Sequence, residues 1–100
     1  MDRVTPKKLE KYFDVTGRAI EKVKICARKD FDWDEKAKDF LDMAKRYYSD
    51  AKHFAGKGEV VVAFAALNYA HGWLDAGARL GLFDVGGDNV LFTVDPDEEP

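Results

Sequence analysis

Residues 58–81 read GEVVVAFAALNYAHGWLDAGARLG, and this stretch decides the fold. Glu59, Asp75 and Arg79 are its only charged residues, and the others are apolar, small or neutral polar. At about 100° per residue, the apolar side chains spread over roughly 200° of a helical wheel, whereas a surface helix needs a stripe only a little wider than about 100°. The stretch therefore predicts a helix that packs against partners on more than one side.

The helical wheel divides this stretch into two sectors. The wide sector is small, aliphatic or aromatic, and we expect it to be covered by the rest of the chain. The remaining strip is mixed, with two apolar residues at its start and four polar ones after them. The wide sector comprises Val62, Ala63, Ala66, Leu67, Tyr69, Ala70, Trp73, Leu74, Ala76 and Leu80, and the strip comprises Val61, Phe64, Asn68, His71, Asp75 and Arg79.

The composition predicts one soluble domain over residues 1–94. A chain of 100 residues with 46% hydrophobic residues can bury a single modest core. The single cysteine, Cys26, excludes an internal disulfide, no apolar leader follows Met1, and the apolar run 60–70 is too short to span a bilayer. We therefore expect a cytoplasmic protein.

The charge is unevenly distributed along the chain. Residues 1–30 carry nine Lys/Arg and five Asp/Glu, residues 31–58 carry six of each, and residues 59–100 carry one Arg and eight acids. These segments have net charges of +4, 0 and −7, which sum to the −3 of the whole chain. The basic residues of the first segment alternate with acids, so the pattern gives little support for nucleic-acid binding.

The first amphipathic helix is predicted over residues 5–28. Thr5-Pro6 is typical of a helix start, with a hydroxyl N-cap followed by proline at the first helical position. From Leu9 to Ala27, apolar residues recur at three- and four-residue steps. Gly17 interrupts this helix, and it can allow a neighbouring element to approach closely.

The second and third helices are predicted over residues 33–56 and 59–81. Asp32-x-x-Glu35 resembles a capping box at the start of the second helix. The short link 56–58, Gly-Lys-Gly, favours an antiparallel hairpin of these two helices. The three predicted helices define an all-α, up-down-up three-helix bundle.

The chain after Gly81 predicts an extended C-terminal tail over residues 82–94 and a mobile acidic terminus over residues 95–100. The segment 91–94, Leu-Phe-Thr-Val, is too apolar to remain in water. Two alternatives stay open at this point: the tail packs along its own bundle, or it packs on a second chain as an edge strand.

The strip formed by Asn68, His71, Asp75 and Arg79 is the main candidate site. Four-residue steps place His71 beside Asp75 and Asp75 beside Arg79, so the imidazole could act as a base or bind an anion. The alternative is that this strip is the solvent-facing side of the helix. Short polar groups between apolar shoulders favour a third interpretation, a half-buried contact with another surface. The predicted interface residues are Asn68, His71, Asp75, Arg79, Phe64, Phe83, Leu91 and Phe92.

A second candidate is the pair Arg46 and His53 on the second helix. Their seven-residue spacing falls within the loose Arg–His pattern of the HEPN ribonuclease superfamily, whose members are also small helical bundles. These residues lie opposite the apolar face and beside Asp39 and Asp50, which is typical of a solvated surface. No spacing of a zinc, calcium or phosphate-binding motif is present in the sequence, so we predict no metal and no cofactor.

Residues 47–51, YYSDA, and residues 68–81, NYAHGWLDAGARLG, resemble an archaeal family called domain of unknown function 357. The resemblance covers most of residues 8–94 and is most specific in the third helix. It implies a three-helix bundle and an archaeal cytoplasmic protein, and it implies no activity and no catalytic residues.

From the residues we therefore expect a non-enzymatic protein-interaction module that self-associates. The apolar surface of the third helix and of the tail exceeds what two amphipathic helices need to cover. The alternative function is a nucleic-acid-associated or HEPN-like RNA-processing factor that uses Arg46 and His53 or the basic first helix.

Overall fold

A computed structural model describes residues 4–25 and 31–92, and within these ranges the chain forms three helices and a short two-stranded ribbon. The predicted all-α three-helix bundle is confirmed. The helix end predicted at residues 26–28, the tail residues 93–94 and the terminus 95–100 lie outside the described residues. The elements are α1 (Pro6–Lys22), β1 (Lys24–Ile25), α2 (Phe31–Gly56), α3 (Val60–Leu80) and β2 (Phe83–Asp84).

Helix α1 begins as predicted and ends earlier than predicted. The hydroxyl of Thr5 accepts a hydrogen bond from the backbone N–H of Lys8 at 3.1 Å, and Pro6 is the first helical residue. The helix ends at Lys22 rather than at residue 28, because Val23 is extended (φ −63°, ψ 132°) and the next two residues form β1. Strand β1 pairs antiparallel with β2, which satisfies backbone groups that a longer helix would have satisfied internally.

Helices α2 and α3 form the predicted antiparallel hairpin. Gly58 takes a left-handed conformation (φ 78°) in the link, and the N–H of Glu59 donates to the carbonyl of Phe54 at 2.9 Å. Helix α2 begins at Phe31, so Asp32 lies inside the helix and the predicted capping box with Asp32 as the cap is wrong. Fully buried alanines on both helices allow their backbones to approach closely; these are Ala37, Ala44, Ala51, Ala63 and Ala70.

The end of α3 returns the chain onto the bundle. Gly81 is left-handed (φ 83°), its N–H donates to Ala78, and the N–H of Leu82 donates to the carbonyl of Gly77 at 2.9 Å. This turn places the ring of Phe83 directly against Gly77. A Cβ atom at Gly77 would lie 2.2 Å from the ring, so only glycine fits at this position.

The segment 82–92 packs on its own bundle, which is the intramolecular one of the two alternatives left open by the sequence. The carboxylate of Asp88 accepts hydrogen bonds at 3.0 Å from the N–H groups of Val90 and Leu91, which shapes the last turn. The buried side chains of this segment join Ala19 of α1 and Leu74 of α3 in one hydrophobic cluster. They are Leu82, Phe83, Val85, Leu91 and Phe92.

Candidate interaction surface on the third helix

His71 is the centre of the predicted polar strip, and it joins three parts of the chain. Its Nδ1 lies 3.1 Å from the hydroxyl of Thr16 on α1, and its Nε2 lies 2.5 Å from the carbonyl oxygen of Leu91. Because a carbonyl can only accept, we assign the ring proton to Nε2, and the Thr16 hydroxyl then donates to Nδ1. Both ring nitrogens are therefore used to hold α1 and the segment 82–92 against α3.

Asp75 lies beside His71, as the four-residue spacing predicts. The Asp75 Oδ1 is 3.9 Å from His71 Nε2, and the two side chains are 28% and 20% exposed. Asn68 and Arg79, at the two ends of the strip, are exposed. The centre of the strip is thus a half-buried contact within the chain, while its ends face solvent.

A small groove of about 270 Å³ follows this strip between α1 and α3. Its lining combines apolar residues of α1 with the polar groups around His71. A base in this groove would need a free, unprotonated ring nitrogen, and the unprotonated nitrogen of His71, Nδ1, already accepts from the Thr16 hydroxyl, while Nε2–H donates to the Leu91 carbonyl. The geometry therefore favours a structural role for His71. The lining residues are Tyr12, Val15, Thr16, Asn68, His71, Gly72 and Asp75.

The four apolar residues predicted to contact a partner lie in two different environments. Phe64 is half-buried, and its ring packs edge-on against Tyr12 with centroids 4.8 Å apart. Phe83, Leu91 and Phe92 are only 3%, 6% and 3% exposed, because the segment 82–92 packs on its own bundle. These three side chains belong to the core, and their assignment to an intermolecular surface is corrected accordingly.

Arg46 and His53 both lie exposed on α2. The Nε of Arg46 is 2.8 Å from Asp42 Oδ2, one turn earlier on the same helix, and the ring of His53 lies 5.5 Å from that of Phe54. Such an i, i+4 ion pair is typical of a solvated helix surface. The ribonuclease alternative therefore stays a prediction from spacing, without further support from the geometry.

The helical wheel predicted the wrong environment for one side of α3, the side that faces away from the bundle. We expected Val62, Tyr69, Ala76 and Leu80 to be covered, and all four are exposed. The bundle covers the opposite side of the helix, where Leu67 and Leu74 are fully buried. We call the exposed apolar surface the outer face; it comprises Val61, Val62, Ala65, Tyr69, Gly72, Ala76 and Leu80.

The outer face contains an open groove of about 360 Å³. Aromatic pairs that join α2 and α3 support one side of this region. Phe40 packs edge-on against Trp73 with centroids 4.9 Å apart, and Tyr47 stacks on Tyr69 at 5.4 Å. The groove can accept an apolar side chain. Its lining residues are Phe40, Asn68, Tyr69, Gly72, Trp73 and Ala76.

Residues 4–25 and 31–92 contain neither a cluster of metal ligands nor a helix suited to crossing a membrane. No cluster of three or more His, Cys, Asp or Glu side chains in these ranges has the geometry of a metal site. None of the helices there combines the length and the apolar character that crossing a membrane requires.

The fold and the surfaces described above define a small all-α protein with a three-helix bundle and an exposed apolar face on its third helix. Residues 11–83 match the model of the family described as "Protein of unknown function (DUF357)", and the chain belongs to this family. The match covers α2, α3 and most of α1, so the resemblance seen in residues 47–51 and 68–81 is confirmed. Comparisons with curated proteins and with solved structures find no match.

Proposed function

We propose that this protein is a non-enzymatic module that self-associates through the outer face of α3. The observation that carries the proposal is the exposure of large apolar side chains along one side of a single helix. Val61, Val62, Tyr69 and Leu80 are 69%, 46%, 63% and 58% exposed. Within the described residues, the only other exposed large apolar side chain is Val90.

The exposed sides of α1 and α2 have a different character. They carry ion pairs between residues four apart, such as Asp14–Arg18 at 3.6 Å and Asp34–Lys38 at 3.0 Å. The outer face of α3 has valine, tyrosine, leucine and small residues in the equivalent positions. A contiguous apolar patch of this kind is typical of a protein–protein contact.

The dimensions of the outer face suit a modest dimer. Val61 and Leu80 are nineteen residues apart, so the face is about 29 Å long at about 1.5 Å per residue. With a helix width of about 10 Å, its projected area is about 300 Å². Two copies would therefore bury about 600 Å² in total, which is below the size of stable specific interfaces and corresponds to a weak, transient contact. We therefore expect a micromolar dissociation constant.

A second copy of this chain fits the outer face better than a nucleic acid does. None of the residues of the outer face is charged, and Arg79 is the only Lys or Arg of α3, so this surface offers little positive charge to a phosphate backbone. An apolar face instead requires an apolar partner surface, and the same face on another molecule supplies one.

Sedimentation velocity tests the proposal directly. Between about 1 μM and about 500 μM, a range that includes weak dimers, the mass should rise from 11.3 kDa toward twice that value. The variant Ala65→Glu should remain monomeric, because it places a charge at the middle of the outer face. Ala65 is exposed and Glu is a good helix former, so the bundle should stay folded.

Val90→Glu is the matched control for this experiment. It adds the same charge at a side chain that is 83% exposed and lies outside the outer face, so association should be unchanged. Circular dichroism should show that both variants keep the helical content of the parent. A parent protein that is monomeric over the whole concentration range would refute the proposal, and equal dimerisation of Ala65→Glu would refute the choice of surface.

A further inference from the structure

We infer that the two copies meet with their α3 helices antiparallel, in the register that places Ala65 of one copy opposite Gly72 of the other. This inference rests on the proposed self-association and specifies its geometry. Three features support it: the positions of the small residues of the outer face, the groove beside Trp73, and the charges at the two ends of α3.

The small and large residues of the outer face complement each other when one helix is reversed. A two-fold axis between residues 68 and 69 pairs Ala65 with Gly72 and Val61 with Ala76, at equal distances from the axis. In a symmetric interface, each such contact occurs twice. Asn68 and Tyr69 lie nearest the axis, and the small Ala65–Gly72 contacts lie one turn away on either side, where they allow close approach because the interhelical distance depends on the side chains at the contact.

The same register fills the groove of each copy. It places Val62 of the second copy level with Asp75, next to Trp73 and Ala76, which line the 360 Å³ groove. Val62 is 46% exposed in the monomer, so part of its side chain is free to enter an apolar pocket. In a parallel arrangement, the groove of one copy would face the groove of the other, and both would stay unfilled.

The charges at the ends of α3 also select the antiparallel arrangement. Glu59 precedes the helix and makes no side-chain capping hydrogen bond, and Arg79 lies exposed in the last turn. The antiparallel register brings Glu59 of one copy near Arg79 of the other, twice, and it also places the opposite ends of the helix dipoles together. A parallel dimer would bring like charges together at both ends.

Disulfide trapping distinguishes the two arrangements. In a Cys26→Ser background, so that the introduced thiols are the only ones, the variants Val61→Cys and Ala76→Cys are prepared separately and mixed in a thiol–disulfide buffer. The antiparallel register predicts the mixed Val61→Cys/Ala76→Cys dimer, because a disulfide needs Cα atoms within about 7 Å. This mixed disulfide should form on the order of a hundredfold faster than the one between the same two cysteine variants when both also carry Ala65→Glu, because association raises the effective thiol concentration.

The outcomes separate this inference from the proposed function. Homodisulfides of Val61→Cys and of Ala76→Cys, formed in place of the mixed product, would show a parallel dimer, which overturns the inference and leaves self-association standing. Monomeric protein in sedimentation would overturn the proposed function itself. As a second measurement, Glu59→Lys and Arg79→Glu should each weaken association severalfold, and the double exchange should restore it only if the helices are antiparallel.

Discussion

Replacing Gly77 by alanine should destabilise the protein, although alanine is the better helix former. The added Cβ would lie 2.2, 2.5 and 2.9 Å from three ring atoms of Phe83, whereas ordinary contacts begin near 3.4 Å. The ring would have to withdraw by 3.4 − 2.2 = 1.2 Å. It has little freedom to do so, because Phe83 is 3% exposed and its backbone is paired with Ile25.

The expected loss of stability at Gly77 is the difference between two opposing effects. Overpacking a core costs typically about 1–3 kcal/mol, and complete expulsion of Phe83 would cost a similar amount in lost burial. The change from glycine to alanine within a helix contributes about 1 kcal/mol in the other direction. We therefore expect a net decrease of up to about 2 kcal/mol in the free energy of unfolding.

Gly72→Ala is the matched control, because it makes the same substitution in the middle of the same helix. No atom lies within 4 Å of a Cβ added at Gly72, so this variant should be stabilised by about 1 kcal/mol. Both variants are measured by denaturant unfolding in the Ala65→Glu background, so that association does not contribute. If Gly77→Ala is stabilised as much as Gly72→Ala, then Phe83 does not pack on Gly77, and the described return of the chain is incorrect.

Three other predictions concern the contact of His71 with the segment 82–92, the turn at Asp88, and the contact between α1 and α2. His71→Ala removes the donor to the Leu91 carbonyl, so hydrogen exchange should accelerate in the segment 82–92 and stay unchanged in the α2–α3 hairpin; equal protection in this segment would contradict the contact. The backbone N–H of Leu91, assisted by that of Val90, lowers the pKa of Asp88 below its usual 3.8. The contribution of the ionised Asp88 carboxylate to the free energy of unfolding should therefore be complete above pH 3.8, and it should be lost as the pH falls through the folded-state pKa. A carboxyl titration by NMR that gives Asp88 a pKa of 3.8 or more would be inconsistent with the turn. Gly17→Ala brings a Cβ to 2.7 Å from the Tyr48 hydroxyl, and it should cost less than Gly77→Ala in denaturant unfolding, because the end of a half-buried side chain can move aside.

Much of the fold was predictable because its signals are local. The start of α1 at Thr5-Pro6, the link around Gly58 and the end of α3 at Gly81 each depend on residues within one turn of the position concerned. The end of α1 depends on a partner far along the chain, since β1 pairs with β2. Apolar periodicity continues past Lys22 in the sequence, and it contains no information about that pairing.

The side of α3 that the bundle covers was not predictable from the helical wheel alone. An apolar arc of roughly 200° has two edges, and two partner helices can cover only one of them fully. The Thr16–His71 hydrogen bond places α1 at the polar edge, which leaves Tyr69 and Leu80 on the open side. The small residues Ala65, Gly72 and Ala76 indicate where another helix can approach α3 closely. Their spacing in the sequence does not indicate whether that helix belongs to the same chain or to a second copy.

The β1–β2 ribbon also has a kinetic consequence. It joins Lys24 to Asp84 and Ile25 to Phe83, so it closes a loop that contains the whole α2–α3 hairpin. Local contacts form faster than distant ones, because closing a long loop loses more chain entropy. We expect the hairpin to assemble first and the ribbon to close last. Substitutions in the ribbon should then alter how fast the native state opens, with little change in how fast it is reached.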